Sequence, residues 1–243
     1  MALLDATSLA VDLRHAAAAR GVSLSVSEDF RAFGELSRTL AGRGSLSPMF
    51  DPAYSALDEE RAFWVVGRDR AGAVVHLQAF RLDWIESSLS ETFADWLVPL
   101  YRSTGDDPRP AAGGLSPSPL ANRIAGRVAY HGELWIRPSA ARGMIGLSDL
   151  LPRFGLIEAY LRWQPDWLYG FVSERKACRG LPIRWGYTIC QPGVLCWDQP
   201  LRDCPLVEWL AAASRADIEH LVTMQAHDPG LEGLAKELAA VGS

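Results

Sequence analysis

The sequence predicts an α/β fold, a mixed and twisted sheet flanked by helices, with extra helices toward both ends. Three observations lead there. Two apolar runs, Ala62 to Arg68 and Ala73 to Trp84, flank the turn sequence Asp69-Arg70-Ala71-Gly72 and read as a hairpin. A strand from Arg127 to Arg137 is followed by a basic, glycine-containing turn, an apolar helical run to Trp163, and a second strand from Trp167 to Ser173. A helical crossover of that length makes these two strands parallel neighbours. Third, 49% of the 243 residues are apolar and 22% charged, enough to bury the core of one large domain.

Each element follows from its local signals. Thr7 is placed to cap a first helix through Ala19, ended by Gly21. Val22 to Val26 alternates apolar and polar and reads as a strand. Ser27 and Asp29 open a second helix to about Leu40, and Ser45 to Leu57 reads as loop. After the hairpin, Ser90 to Tyr101 is an amphipathic helix. Ser103 to Gly126 is rich in Pro, Gly and Ser and lacks periodicity, so a mobile loop is expected. Glu174 to Leu181 is a short helix or turn. Gly186 to Cys190 and Val194 to Trp197 read as a second hairpin around Gln191-Pro192-Gly193, and Leu206 to Ala213 and Asp217 to Gln225 as helices. The expected division is a domain over residues 1–204, with insertions at 86–126, and a C-terminal helical extension over 205–243.

Composition excludes several classes. A net charge of −5 provides no global basic field for nucleic acid. No apolar run reaches the length of a membrane span and no signal peptide is visible, so no membrane partner and a cytoplasmic location are expected. Cys178, Cys190, Cys196 and Cys204 include no C-x-x-C pair, so no metal site is expected and the thiols read as reduced and buried.

The chemistry concentrates around the central strand and the turn after it. Tyr130-His131-Gly132-Glu133-Leu134-Trp135-Ile136-Arg137-Pro138 leads into Ala141-Arg142-Gly143-Met144-Ile145-Gly146-Leu147. A strand that ends at a helix N-terminus presents unpaired N–H groups to an anion. Arg142 adds a positive charge and the glycines allow close approach, so a diphosphate is the natural occupant.

In three places the sequence resembles the GNAT superfamily of acyl-CoA-dependent N-acyltransferases. Gly132 to Pro138 resembles the family's fourth strand ending in V-x-P, Arg142 to Leu147 its Q/R-x-x-G-x-G/A pyrophosphate loop, and Arg184-Trp185-Gly186-Tyr187 its K-x-G-F. The loop departs from the pattern in holding Ile145 and Leu147 at the later glycine positions. The resemblance covers roughly Val22 to Trp197 and implies a GNAT-like mixed, mostly antiparallel sheet. It implies acetyl-CoA or another acyl-CoA as cosubstrate, held by Leu134, Trp135 and Ile136 on the strand and by Arg142, Gly143, Met144, Ile145, Gly146 and Leu147 in the loop. The implied reaction moves an acyl group onto a primary amine of a small molecule or peptide. The alternative is a GNAT-like acyl-CoA-binding or regulatory domain without turnover. A homodimer is compatible with either.

Acyl transfer to an amine needs a proton acceptor, a polarised carbonyl and a proton for the departing thiolate. Glu133 is the first candidate for the acceptor and His131 the second. Strict alternation places His131, Glu133 and Trp135 on one face and Tyr130, Gly132, Leu134 and Ile136 on the other. Glu133 reads equally as one half of an ion pair with an arginine, and a lone strand histidine is more often structural. Ser173 and Tyr187 carry hydroxyls that could protonate the thiolate, against plainer roles as a helix cap and a packed aromatic. Arg137 reads as a phosphate contact or a solvated strand end, and Lys176 and Arg179 as contacts for the adenosine 3′-phosphate or, more often for such residues, a solvated helical face.

Overall fold

A computed structural model describes residues 2–41, 43, 46–103, 109–115, 118–143, 146–198 and 206–225. Helix α1 (Ala2–Ala19) begins well before Thr7, whose hydroxyl donates to the Leu3 carbonyl inside the helix and caps nothing. Strand β1 (Val22–Ser27) and helix α2 (Phe30–Arg38) follow, and Asp29 caps α2 by accepting from the N–H groups of Arg31 and Ala32. Strands β2 (Ala62–Asp69) and β3 (Val74–Ile85) form the expected hairpin, with the Asp69 carboxylate closing the turn onto Ala71 and Ala73. The next helix is continuous but irregular. It runs from α3 (Leu89–Thr92) through a π segment (Phe93–Leu97) into α4 (Val98–Ser103).

Three corrections come after that helix. The segment expected to be a mobile loop contains strand β4 (Arg109–Leu115), antiparallel to β7 (Ile189–Asp198). Strand β7 is one strand and no hairpin. Gln191-Pro192-Gly193 is accommodated as a register shift within it, with Gly193 in a left-handed conformation. Residues Leu206–Ser214 form strand β8, not a helix. The alanine-rich run invited the helical reading. Its position decides otherwise, because β8 lies between β6 (Trp167–Ser173) and β7, where Leu210, Ala211, Ala212 and Ala213 are fully buried. The boundary expected at residue 205 therefore cuts off an inner strand of the sheet.

Among the described residues the sheet has eight strands in the order β1-β2-β3-β5-β6-β8-β7-β4, where β5 is Gly126–Ile136. Their one parallel pair is β5 with β6, as the sequence predicted, and every other pair is antiparallel. The crossover between them contains α5 (Pro138–Gly143) and α6 (Leu147–Trp163). Helices α7 (Glu174–Ala177) and α8 (Leu181–Trp185) link β6 to β7, and α9 (Arg215–Gln225) follows β8. On one face the sheet is covered by α1, α6, α8 and α9, and the other carries α2 and the insertion between β3 and β5. Among the described residues no helix is long and apolar enough to cross a membrane.

Candidate active site

The site begins where the parallel strands part. Strands β5 and β6 pair from Val128 with Trp167 to Tyr130 with Tyr169, and no further. Each continues on its outer neighbour, β5 against β3 as far as Ile136 and β6 against β8 as far as Ser173. From His131 and Gly170 onward the facing edges diverge, and a cavity of about 810 Å³ opens between them.

A bulge in β5 sets which side chains face it. The register runs from Ala79 with Gly132 to Leu77 with Trp135, so β5 carries one more residue than β3 there. Glu133 takes up the difference with a left-handed φ of 58°. The expected shared face of His131, Glu133 and Trp135 is therefore corrected. Trp135 joins the apolar cluster of Tyr130, under the insertion, and Leu134 joins the opposite one. Gly132 is required here, because a side chain would meet the Phe50 ring at 2.5 Å.

Glu133 is the buried partner of Arg43. Its Oε2 accepts from Arg43 Nη2 at 2.5 Å, its Oε1 accepts from the Ser47 N–H at 2.9 Å, and Arg43 Nη1 also donates to its carbonyl. The ion-pair reading of Glu133 is thus realised, and it ties the α2–β2 connection to β5. Burial pushes the Glu133 carboxyl up, and Arg43 and the Ser47 N–H oppose that shift. Tyr101, from the end of α4, completes this wall through a 2.9 Å bond with Ser47 Oγ.

His131 lies on the other face, its ring stacked on Phe80 at 4.4 Å. Its Nδ1 is 3.0 Å from Tyr187 Oη, and among the described residues its Nε2 has no hydrogen-bond partner. Burial, with smaller contributions from His76 and Lys176, lowers its pKa to about 3. A neutral, weakly basic imidazole is a poor proton acceptor, so the second-choice role for His131 does not fit its setting.

Several lining residues escaped the sequence reading, Glu208 among them. Lys176, read as a phosphate contact or a solvated face, lines the cavity, and burial lowers its pKa against the opposing charge of Glu208. Glu208 of β8 accepts from Trp197 Nε1 at 2.7 Å, and burial raises its pKa. Reading β8 as a strand would have placed Glu208 on the same face as Leu210 and Ala212, which is the signal that was available.

The proposed diphosphate loop is partly in view. Arg142 and Gly143 end the short helix α5, where the sequence suggested an open turn, and Met144 and Ile145 lie outside the described residues. Gly146 has a φ of 83° and Leu147 begins α6. Arg184 reaches back to Asp149 in the first turn of α6, and Trp185 Nε1 donates to the Ser148 carbonyl. Arg137 is held by Asp69 and the Val74 carbonyl, so it is a structural tie, not a free phosphate contact. Ser173 makes no side-chain cap to α7. Of the cysteines, Cys178 is exposed and Cys190 and Cys196 are half-buried, all free, which corrects the expectation of burial, and Cys204 lies outside the described residues. Among the described residues no group of His, Cys, Asp and Glu is arranged to hold a metal ion.

No family model matches the chain, and no curated protein matches it significantly. Among solved structures it is similar to a spermidine N-acetyltransferase SpeG of Vibrio cholerae, at 10% identity and TM-score 0.44, covering 81% of this chain and 96% of that one. It is similar to Arabidopsis thaliana NAA60 in complex with a bisubstrate analogue, at 9% identity and TM-score 0.42, covering 79% and 98%. It is also similar to an aminoglycoside acetyltransferase AAC(6')-Ib in complex with coenzyme A and kanamycin, at 13% identity and TM-score 0.41, covering 82% and 98%. The fold itself is read from the strand order. Among the described residues the chain has a single parallel pair, parted over a cavity, and a mostly antiparallel remainder flanked by helices, which is the mixed, mostly antiparallel sheet that the sequence resemblance implied.

Proposed function

We propose that the chain is an N-acyltransferase that moves an acyl group, acetyl in the first instance, from coenzyme A to a primary amine by direct attack. The observation that carries this reading is the parting of β5 and β6 over the cavity. A parted parallel pair offers strand edges whose backbone groups have no sheet partner, and an extended amide-bearing chain such as pantetheine can satisfy them. In this reading Leu134, Trp135 and Ile136 hold that chain. Arg142 to Leu147 receive the diphosphate at the start of α6.

Glu133 is the proposed proton acceptor for the amine. A carboxylate has about four lone-pair sites. Arg43 and Ser47 each occupy one site on this carboxylate, which also lines the cavity, so it can still accept from a water or the amine itself. The carbonyl carbon gains the bond to nitrogen, the carbon–sulfur bond breaks, and the sulfur leaves with the electron pair. The engagement of Glu133 by Arg43 favours the second reading, a domain that binds acyl-CoA without turnover. One experiment tests both: calorimetric titration with acetyl-CoA and longer acyl-CoAs, followed by a screen of amines for thiol release. Binding with release supports the enzyme, binding without release across the screen supports the second reading, and a folded protein that binds no acyl-CoA rejects both.

A further inference from the structure

A second cavity, of about 420 Å³, lies between β3, β6 and the helix that follows β3, a size that suits a small molecule. Among the described residues its lining shares only Tyr54 with that of the first cavity. Tyr130 lines the first cavity and Tyr169 the second, and the two stand on the last paired rung of β5 and β6 with ring centres 5.1 Å apart. Each cavity therefore has one ring of that pair in its wall.

The wall is aromatic and firmly held. Phe93, Trp96 and Leu97 line it from the π segment, a helix irregularity found frequently at functional sites. Arg81 ties the wall together. Its Nε and Nη2 donate to the Asp83 carboxylate at 2.9 and 2.8 Å, and its Nη1 donates to the Met49 carbonyl and to Ser55 Oγ. Its guanidinium lies over the Trp96 ring. The exposed rings of Tyr54 and Trp84 extend the aromatic wall to the surface.

Two polar groups are left for an occupant. At the inner end is Tyr169, 4% exposed, whose hydroxyl makes no hydrogen bond among the described residues. Burial above all, and then the Asp83 charge, pushes its pKa up, so it stays a neutral hydroxyl. A buried hydroxyl is costly without a bond, and an occupant of the cavity can supply one. At the outer end is Arg61, whose side chain is half exposed. It reaches Asp83 only at 3.7 Å and the Leu82 carbonyl at 3.4 Å, both long for a guanidinium bond. Among the described lining residues, Arg61 and Arg81 face Asp83 alone, which leaves one positive charge in excess.

We propose that the second cavity is a binding site for a planar aryl carboxylate, with its ring between the aromatic walls, its carboxylate on Arg61 and a hydroxyl or carbonyl at its far end on Tyr169. The proposal is independent of the acyl-CoA reading. A cationic ligand is disfavoured, because both oxygens of Asp83 already accept from Arg81. The charged end lies outward, where Arg61 meets solvent and the carboxylate keeps part of its hydration.

The probe is para-hydroxycinnamate, titrated calorimetrically into the whole protein, with cinnamate and the probe's methyl ester for comparison. Wild-type protein should bind the probe, and bind the ester about tenfold more weakly. Arg61→Gln should weaken the probe about tenfold and leave the ester unchanged. Tyr169→Phe should weaken the probe about fivefold and leave cinnamate unchanged. Thr92→Trp, which fills the cavity from its half-buried wall, should abolish binding. No binding by folded wild-type protein at about 1 mM probe overturns the proposal. So does binding that survives Thr92→Trp, or that coenzyme A displaces competitively, which would put the probe in the first cavity. An ester bound as tightly as the acid overturns the role of Arg61, and an equal loss of probe and cinnamate in Tyr169→Phe overturns that of the hydroxyl. If Thr92→Trp does not fold, Arg61→Gln, at an exposed position, still decides: equal losses of acid and ester there overturn the site.

Discussion

Glu133 shows how a single residue's backbone and side chain are set against each other. Its left-handed backbone costs about 1–2 kcal/mol for a residue with a Cβ. The ion pair with Arg43, whose two side chains are 5% and 11% exposed, holds it there. Breaking one half of a buried pair costs about 3–5 kcal/mol. Glu133→Gln keeps the shape, so part of that loss is recovered through amide hydrogen bonds. In the proposed reaction it should reduce turnover by about a hundredfold or more while coenzyme A affinity stays within about twofold. Full turnover in this variant, at a temperature where it is folded, would transfer the role to Glu208, the other carboxylate with a raised pKa in the cavity. At this scale the sequence identified the residue types well and their faces poorly. Alternation is a rule for unbroken strands, and nothing in Gly132-Glu133-Leu134 announces that a bulge interrupts it.

The crossover between β5 and β6 governs the site at the level of elements. Helix α6 sits unusually close to the sheet at Gly155. A methyl group there would lie 2.4 Å from Gln78 Nε2 and 2.6 Å from the Phe80 ring, and Gln78 is fixed by its 2.8 Å bond to the Leu151 carbonyl. In an open helix, glycine to alanine gains about 1 kcal/mol. Here the overpacking, about 1–3 kcal/mol, should win, so Gly155→Ala is expected to lower stability in urea unfolding. An increase would show that α6 can lift away at little cost. At the other end of the crossover, Arg142→Glu reverses a charge near the start of α6. It should weaken coenzyme A binding at least about tenfold, or roughly 1.4 kcal/mol, and unchanged affinity in the folded variant would move the diphosphate elsewhere. Elements with two agreeing signals were legible, such as the β2–β3 hairpin with its Asp-to-Gly turn. Strand β8 was not, because Ala-rich composition favours helix and only tertiary burial reverses it. Strand β4 escaped because its pairing with β7 is long-range, and Pro and Gly masked it.

Across the whole molecule, two buried histidines make stability respond to pH in a direction that can be worked out. His76 and His131 both have their pKa lowered to about 3, chiefly by burial, from an ordinary 6.5. In the unfolded chain both protonate as pH falls through 6.5, while in the fold they stay neutral. The unfolded state then binds more protons, so stability is full above 6.5 and falls as pH drops toward 3, by up to about 1.4 kcal/mol per pH unit for each histidine. Glu133, Glu158 and Glu208 act the other way, since their raised pKa values let the fold take up protons before the unfolded chain does. The net slope is a difference, and a single variant isolates one histidine's share. His76 Nδ1 lies 3.1 Å from the Trp135 carbonyl, a contact that a glutamine amide can keep. His76→Gln should therefore flatten the acid loss measured by urea unfolding between pH 7.5 and 5, by up to about 1.4 kcal/mol per unit below 6.5. Parallel pH profiles for the variant and the wild type would mean that His76 takes up its proton inside the fold.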